Sequence, residues 1–354
     1  MNKKIILILS VIICAAIIFT IIAILGDREE EQPLDDLEKQ RFQSISIEFF
    51  DTVTQIVAYT ESQEQFDNFV NIIHNQLRTM NILFDIYNEF EGINNIRTIN
   101  QNAGVSPIEV HPLIIELIEV SIEAYHITNG TMNIALGPVL EIWHAHRHAE
   151  VPSLPCMDAL READRFTDIN SITIDSENNT VFLPYAEMSL DVGSIAKGFA
   201  LDYIYAQVRN TGVRSFILNM GGDVLAADPP PGREFWNIGV EDPRPDGGIV
   251  DAIQSSNTSV LISGDYRRYF VVDDIAYSHI IDPATLMPAR NFSAVSVIHP
   301  SATMGEILST AVFIMDIDSG LQLLAEQSAE AIWIFHDGQI HTSPGYLQFS
   351  RDLS

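Results

Sequence analysis

The chain is short of positive charge. It has 19 Lys and Arg against 48 Asp and Glu, a formal net charge of −29 over 354 residues. So acidic a surface repels nucleic acid and anionic lipid, which excludes polyanion binding through a basic patch. A nucleotide ligand would need its phosphates offset locally, and a protein-held divalent cation is the obvious means. Cysteine is scarce: Cys14 sits in an apolar run and Cys156 in a loop, so disulfides do not frame the fold. Familiar catalytic signatures are missing too. No G-x-G-x-x-G follows a strand, and there is no G-x-S-x-G elbow. Gly193 and Gly198 have the first spacing of a P-loop, but Phe199 stands where its lysine belongs.

What is present begins with one long hydrophobic run. Asn2-Lys3-Lys4 precedes Ile5–Leu25, about 21 residues and enough to cross a bilayer. Positive charge before it and acid after it (Asp27, Glu29, Glu30, Glu31) place the N-terminus in the cytoplasm and the rest outside. Ile24-Leu25-Gly26 is a poor cleavage site, and Val11-Ile12-Ile13 before Cys14 is a poor lipobox. An uncleaved transmembrane anchor over 1–26 is therefore expected, with a cleaved signal as the alternative. Residues 27–43 are acidic, contain Pro33 and read as a tether. A folded domain follows over 44–354, and a content of 47% hydrophobic residues is ample for its core.

Within that domain the pattern mixes strands and helices without regular alternation, so the class is α+β with mixed or antiparallel sheets. Strands are expected in Ser44–Tyr59, in Ser215–Met220 ahead of Gly221-Gly222, and near 235–241, 259–262, 267–272 and 293–298. Phe66, Phe69, Val70, Ile73, Leu77 and Met80 fall on one helical face. Further helices are expected at Leu113–Asn129, stopped by Gly130, at Ser301–Met315 and at Ser319–Gln327. Hairpins are expected across Asn178-Asn179 and across Asp337-Gly338.

The stretch Ser189–Asp202 runs from strand into helix. Asp191 suits a helix start, and Gly193 and Gly198 let a bulky group approach the backbone. Ile195, Phe199, Ile204 and Val208 should face a core, and Gly212 should end the helix. A helix start aimed into a cleft suits a phosphate, though an ordinary capped turn has the same local pattern. Glu306, Ser309 and Thr310 stand at i, i+3 and i+4, an oxygen-rich face that suits a hard cation or plain solvation. His144-Ala145-His146-Arg147-His148 lacks a partner at a recognised metal spacing and reads as polar surface.

These stretches occur in order with Asn219-Met220-Gly221-Gly222-Asp223, Ser263-Gly264-Asp265-Tyr266-Arg267-Arg268, Ser278-His279-Ile280-Ile281-Asp282-Pro283 and Met304–Ala311. In that order and spacing the chain, from about Glu48 to about Asp337, resembles the ApbE family, the FAD:protein FMN transferases. The resemblance implies a two-lobed, T-fold-related α+β domain that binds FAD and Mg²⁺. It implies transfer of FMN to a Thr or Ser hydroxyl of a client flavoprotein, with AMP released. The client would be an extracytoplasmic electron-transfer subunit or a lipoprotein. By the same resemblance the Ser194 carbonyl, Glu306, Ser309 and Thr310 hold the metal, with Glu306 standing where the family has Asp. Asp191, Lys197 and Ile280 contact the flavin nucleotide. Thr131-Met132-Asn133 lines its site, with Asn133 in place of the usual Asp. Tyr87 and Phe50 match ligand-contacting positions, where core packing is the alternative role. His279 is the candidate catalytic residue, with Asp282 or a metal-bound carboxylate as other candidates for the base. Two rivals remain from the sequence: a flavin-binding protein that captures FAD without transfer, and a hydrolase giving FMN and AMP.

Overall fold

The computed structural model describes residues 39–244 and 247–353. Its centre is an eight-stranded sheet. The strands are β1 (Gln40–Phe49), β2 (Thr52–Thr60), β3 (Phe216–Met220), β4 (Asp223–Ala226), β5 (Thr258–Gly264), β6 (Ala294–His299), β7 (Glu330–Ile334) and β8 (Ile340–Thr342). They lie side by side in chain order, each antiparallel to its neighbour. The long connection from β2 to β3 carries α1 (Gln63–Leu83), α2 (Ile96–Gln101), α3 (Pro112–Ile127), α4 (Gly137–His148), α5 (Met157–Asp164) and α6 (Ala196–Val208). Between β6 and β7 come α7 (Ala302–Ile314) and α8 (Ile317–Glu326).

Both faces of the sheet are covered, which is why its inner strands read as apolar runs rather than clean alternations. Ile56, Leu218, Leu225 and Leu261 pack into the helical core. Their chain neighbours Val57, Ile217, Val224 and Val260 point the other way, onto Trp236, Ile238 and Ile253. Those last three belong to a two-stranded ribbon, Trp236–Glu241 with Ile249–Ser255. A smaller apolar cluster joins α4 and α5 to the hairpin Tyr269–Val272/Ile275–Ser278 through Trp143, Leu160, Phe270 and Tyr277.

Local chemistry sets the ends of these elements. All six residues expected on the α1 face are buried, and the Ser62 side chain caps the helix by accepting the Gln65 amide. Gly130 follows α3 with φ +84°, and Asn179 turns its hairpin with φ +51°. At Gly221, φ is +71° and a Cβ would strike the Thr52 hydroxyl, so the β3–β4 turn requires glycine. Phe50 and Asp51 both take positive φ in the two-residue β1–β2 turn.

Several sequence expectations need correction. β1 starts at Gln40, inside the segment expected as tether, and pairs Gln40 with Thr60. α2, α4, α5 and the strand Ile249–Ser255 were not expected. α4 opens on Gly137-Pro138, and proline is compatible with a first helical turn. α6 stops at Val208, ahead of Gly212. The expected anchor over 1–26 lies outside the described residues; among the described residues no helix is long and apolar enough to cross a membrane.

Candidate active site

The site forms where the start of α6 meets the middle of α7. A Cβ on Gly198 would lie 2.5 Å from the Ala302 carbonyl oxygen and 2.9 Å from the Glu306 Cβ, so only glycine permits this approach. The helices exchange carboxylates. Asp202 of α6 accepts the Ala302 and Thr303 amides at 2.8 and 2.9 Å, capping α7. In return Glu306 Oε2 accepts the Gly198 amide. The helix starts at Ala196, so the Gly198 amide is one of the first-turn amides that have no acceptor within the helix, and Glu306 supplies one. Ser194 precedes the helix, and its carbonyl takes no backbone amide among the described residues.

Lys197 sits between two buried acids. Its Nζ pairs with Asp223 at the start of β4 and lies 3.2 Å from Glu306 Oε1. Asp223 is 2% exposed and Glu306 4%. Burial opposes the lysine charge, but the Asp223 and Glu306 carboxylates overcome it and hold the Lys197 pKa above its ordinary value. Burial pushes the Glu306 carboxyl up, against the pull of Lys197. The two groups titrate together, and the arrangement favours a charged lysine because two carboxylates face it. Asp223 Oδ1 is also fixed, accepting the Ile262 amide at 2.9 Å.

The segment 131–134 zips against the loop before α6. Ile134 O accepts the Asp191 amide at 2.8 Å, and the Ser194 hydroxyl lies 3.5 Å from Met132 Sδ. Met132 is buried and Thr131 half-buried. Asn133 donates through Nδ2 to the Thr167 carbonyl at 3.0 Å and accepts the Ala135 amide through Oδ1 at 2.9 Å. An aspartate offers no donor for Thr167, so this contact depends on the amide. Asp191 does not cap α6, correcting the sequence expectation. Its Oδ1 accepts the Gly193 amide at 2.9 Å in a local turn, and the helix begins at Ala196 after a non-helical Ile195.

His279 follows the hairpin that ends at Ser278. Its amide and its Nδ1 each lie 3.1 Å from the Arg268 carbonyl. A carbonyl only accepts, so Nδ1 carries the proton and Nε2 keeps a free lone pair. Burial and the Arg268, Arg147 and Lys197 charges push the His279 pKa down to about 4. Tyr87 is 60% exposed, and its hydroxyl lies 3.5 Å from His144 Nδ1. Partial burial and the Asp191 carboxylate raise its pKa.

Other expected residues lie differently. Ser309 is buried with its hydroxyl between the Glu306 carbonyl and the Ser263 hydroxyl, both at 3.0 Å, so its hydrogen bonds are taken inside the fold. Phe50 is partly buried against the main core, its amide donating to Asn81 Oδ1 at 2.7 Å. The Ile280 side chain packs into the α7–α8 cluster. Thr310 is half-buried, and its hydroxyl has no hydrogen bond among the described residues.

The donor chemistry suits a hard cation. Among the described residues the Ser194 carbonyl takes no backbone amide and the Thr310 hydroxyl has no hydrogen-bond partner, and Glu306 adds one carboxylate. Among the described residues no three His, Cys, Asp or Glu side chains cluster as a metal-holding group. A cation here would rest largely on neutral oxygens.

A sequence profile described as the ApbE family matches residues 50–333. The chain belongs to the ApbE family. It is 31% identical over 274 residues to the FAD:protein FMN transferase of Treponema pallidum, covering 73% of this chain and 75% of that protein. The corresponding protein of Klebsiella pneumoniae is 29% identical, with 72% and 79% covered. The crystal structure of the ApbE protein of Thermotoga maritima superposes with a TM-score of 0.80 at 28% identity, over 88% of this chain and 100% of that one. The fold is thus the mixed α+β fold of the family. The geometry adds residues to which the sequence alone gives no role. Asp223 was in plain view within Asn219–Asp223, but its pairing with Lys197 needs the β3–β4 turn to be known. Arg147 was unreadable because α4 was not recognised.

Proposed function

We propose that the protein is a cation-dependent FAD:protein FMN transferase. The observation that carries this reading is the joint of α6 and α7, where the Gly198 amide donates to Glu306 beside Lys197 and the Ser194 carbonyl, just ahead of the helix, takes no backbone amide among the described residues. The names of the Treponema and Klebsiella relatives support it. In such a reaction a Thr or Ser hydroxyl of a client protein attacks the phosphorus on the riboflavin side of FAD. The new oxygen–phosphorus bond forms as the bond to the AMP phosphate breaks, and AMP departs. Ser194, Glu306 and Thr310 would hold Mg²⁺, which when bound offsets the charge of the diphosphate.

The chain's own side chains account for the rest. Lys197 offers a permanent positive charge that two acids hold in place. His279, neutral and with Nε2 free, accepts the proton of the attacking hydroxyl. Once protonated it stands beside Arg268, Arg147 and Lys197, which disfavours the charged form until an anion is bound among them. Tyr87, on the rim, presents an aromatic face to a flavin or adenine ring. On the sequence evidence alone, we place this domain outside the cell membrane, held by the apolar run Ile5–Leu25.

The test incubates the full-length chain with FAD, Mg²⁺ and a client protein carrying an acceptor Thr. Covalent flavin on the client with stoichiometric AMP supports transfer. Free FMN and AMP without labelled client would show a hydrolase, and unchanged bound FAD would show a carrier.

A further inference from the structure

Arg267 ties together three parts of the fold. It lies in the loop 265–268, between the end of β5 and the hairpin Tyr269–Val272/Ile275–Ser278. Its Nη1 donates to the Gly221 carbonyl at 2.6 Å, and its Nη2 donates to Glu241 Oε2 at 2.5 Å. Gly221 belongs to the β3–β4 turn, and Glu241 ends the first strand of the ribbon. The guanidinium also lies over the Tyr266 ring, 5.3 Å from its centroid. A planar fork with two such bonds fixes direction as well as distance, which the point charge of a lysine does not.

Of the parts it joins, the turn is firmly held. Asn219 Oδ1 accepts the Gly222 amide at 2.8 Å, and Asp223 Oδ1 accepts the Ile262 amide at 2.9 Å. A Cβ on Gly222 would stand 3.0 Å from Arg267 Nη1, so glycine leaves room for the guanidinium. The same turn presents Asp223 to Lys197. On the other side, Arg268 offers its carbonyl to the His279 amide and to His279 Nδ1, both at 3.1 Å. Arg267, fixed to the Asp223 turn, is therefore the chain neighbour of the carbonyl that sets the tautomer and direction of His279.

We propose that Arg267 is a positioning residue: it moors the loop 265–268 to the β3–β4 turn and so fixes His279 relative to Asp223 and Lys197. The inference rests on the transferase reading, with His279 as the base. Glu241 orients Arg267 from the ribbon side of the sheet, so the ribbon takes part in placing the base. The Arg267 and Glu241 side chains are 37% and 25% exposed, and an ion pair so open to water adds little to stability. Its effect is on geometry, where a misplacement of about 1 Å costs about a hundredfold in rate. Lys197 keeps its contact with Glu306 whatever the loop does, so the loss falls on the proton transfer and spares the binding of FAD.

The test uses the full-length chain with FAD, Mg²⁺ and a client protein carrying an acceptor Thr. R267Q should lower kcat for FMN transfer by about 10- to 100-fold, with the melting temperature and the affinity for FAD unchanged. R267K keeps the charge without the fork and should recover only part of the loss. E241Q leaves the Gly221 contact in place and should lose less than R267Q, in the same direction. Nitrogen-15 NMR of the imidazole, without FAD or client, reads the His279 tautomer. It should be Nδ1–H in the wild type and a mixture with Nε2–H in R267Q. Unchanged kcat in R267Q overturns the proposal, as does a loss of kcat matched by losses of stability and FAD affinity. A wild-type tautomer in R267Q overturns it too. If the wild type itself transfers no FMN, the transferase reading fails, while the tautomer still decides whether Arg267 moors His279.

Discussion

Glu306 on α7 accepts the main-chain amide of Gly198 on α6, a first-turn amide that the helix itself leaves without an acceptor. This contact joins the two helices and satisfies a buried donor at the same time. The longer reach of glutamate over aspartate makes it possible while Oε1 still meets Lys197 at 3.2 Å. The extra methylene therefore has a structural reason in this chain.

If Glu306 supplies a cation ligand as well, E306Q separates its two roles. The amide oxygen can still accept from Gly198, so the fold should hold, while the charge is lost. Cation affinity by titration calorimetry should fall at least about tenfold, equivalent to roughly 1.4 kcal/mol. Unchanged affinity together with a lowered melting temperature would leave Glu306 with only its helix-joining role.

Lys197 is the counter-ion of two buried acids, and its removal should make stability depend on metal. K197M leaves Asp223 and Glu306 facing each other without a cation, a loss of about 3–5 kcal/mol by analogy with broken buried pairs. Millimolar Mg²⁺ should restore much of that loss by binding the folded state, while the wild type gains less. Thermal melts with and without Mg²⁺ measure it, and an equal response in both proteins would contradict the competition between Lys197 and the cation.

The pH response of His279 has a definite sign. Its folded pKa, about 4, lies below that of an unfolded histidine. In the window from about 6.5 down to 4 the unfolded chain takes a proton that the folded chain refuses, so acid favours unfolding there. The stabilising contribution is complete above about pH 6.5 and is lost as pH falls toward 4. As a base the residue should remain neutral through the same window. The kcat/KM for FAD should hold down to about pH 5 and fall near pH 4. A fall centred near 6.5 would mean a histidine with an ordinary pKa.

Asn133 offers a test of the loop that lines the site. N133D sets a carboxylate oxygen against the Thr167 carbonyl, now 3.0 Å from the amide donor. The lost bond and the unpaired carbonyl should cost about 1–3 kcal/mol in chemical denaturation. A neutral result would show that the loop rearranges readily.

Where local chemistry decides, the residues could be read directly. The face of α1, the Gly130 stop, the Gly221-Gly222 turn and the hairpin at Asn179 follow from periodicity and backbone preference. Glu306 and Thr310 were legible as a helix face, yet Ser309, one residue from Thr310, turns to Ser263 on β5. Only the sheet's position settles that. Asp191 carried the chemistry of a cap, but the Val192 carbonyl takes the Ile195 and Ala196 amides and delays the helix.

The most direct measurement is anomalous diffraction from crystals grown with FAD and Mn²⁺ as a Mg²⁺ surrogate. The expected result is one anomalous peak at bonding distance from the Ser194 carbonyl, Glu306 and Thr310, with the FAD phosphates against it. A peak elsewhere, or FAD bound while Lys197 alone bridges Asp223 and Glu306 and no metal is present, would contradict the cation site.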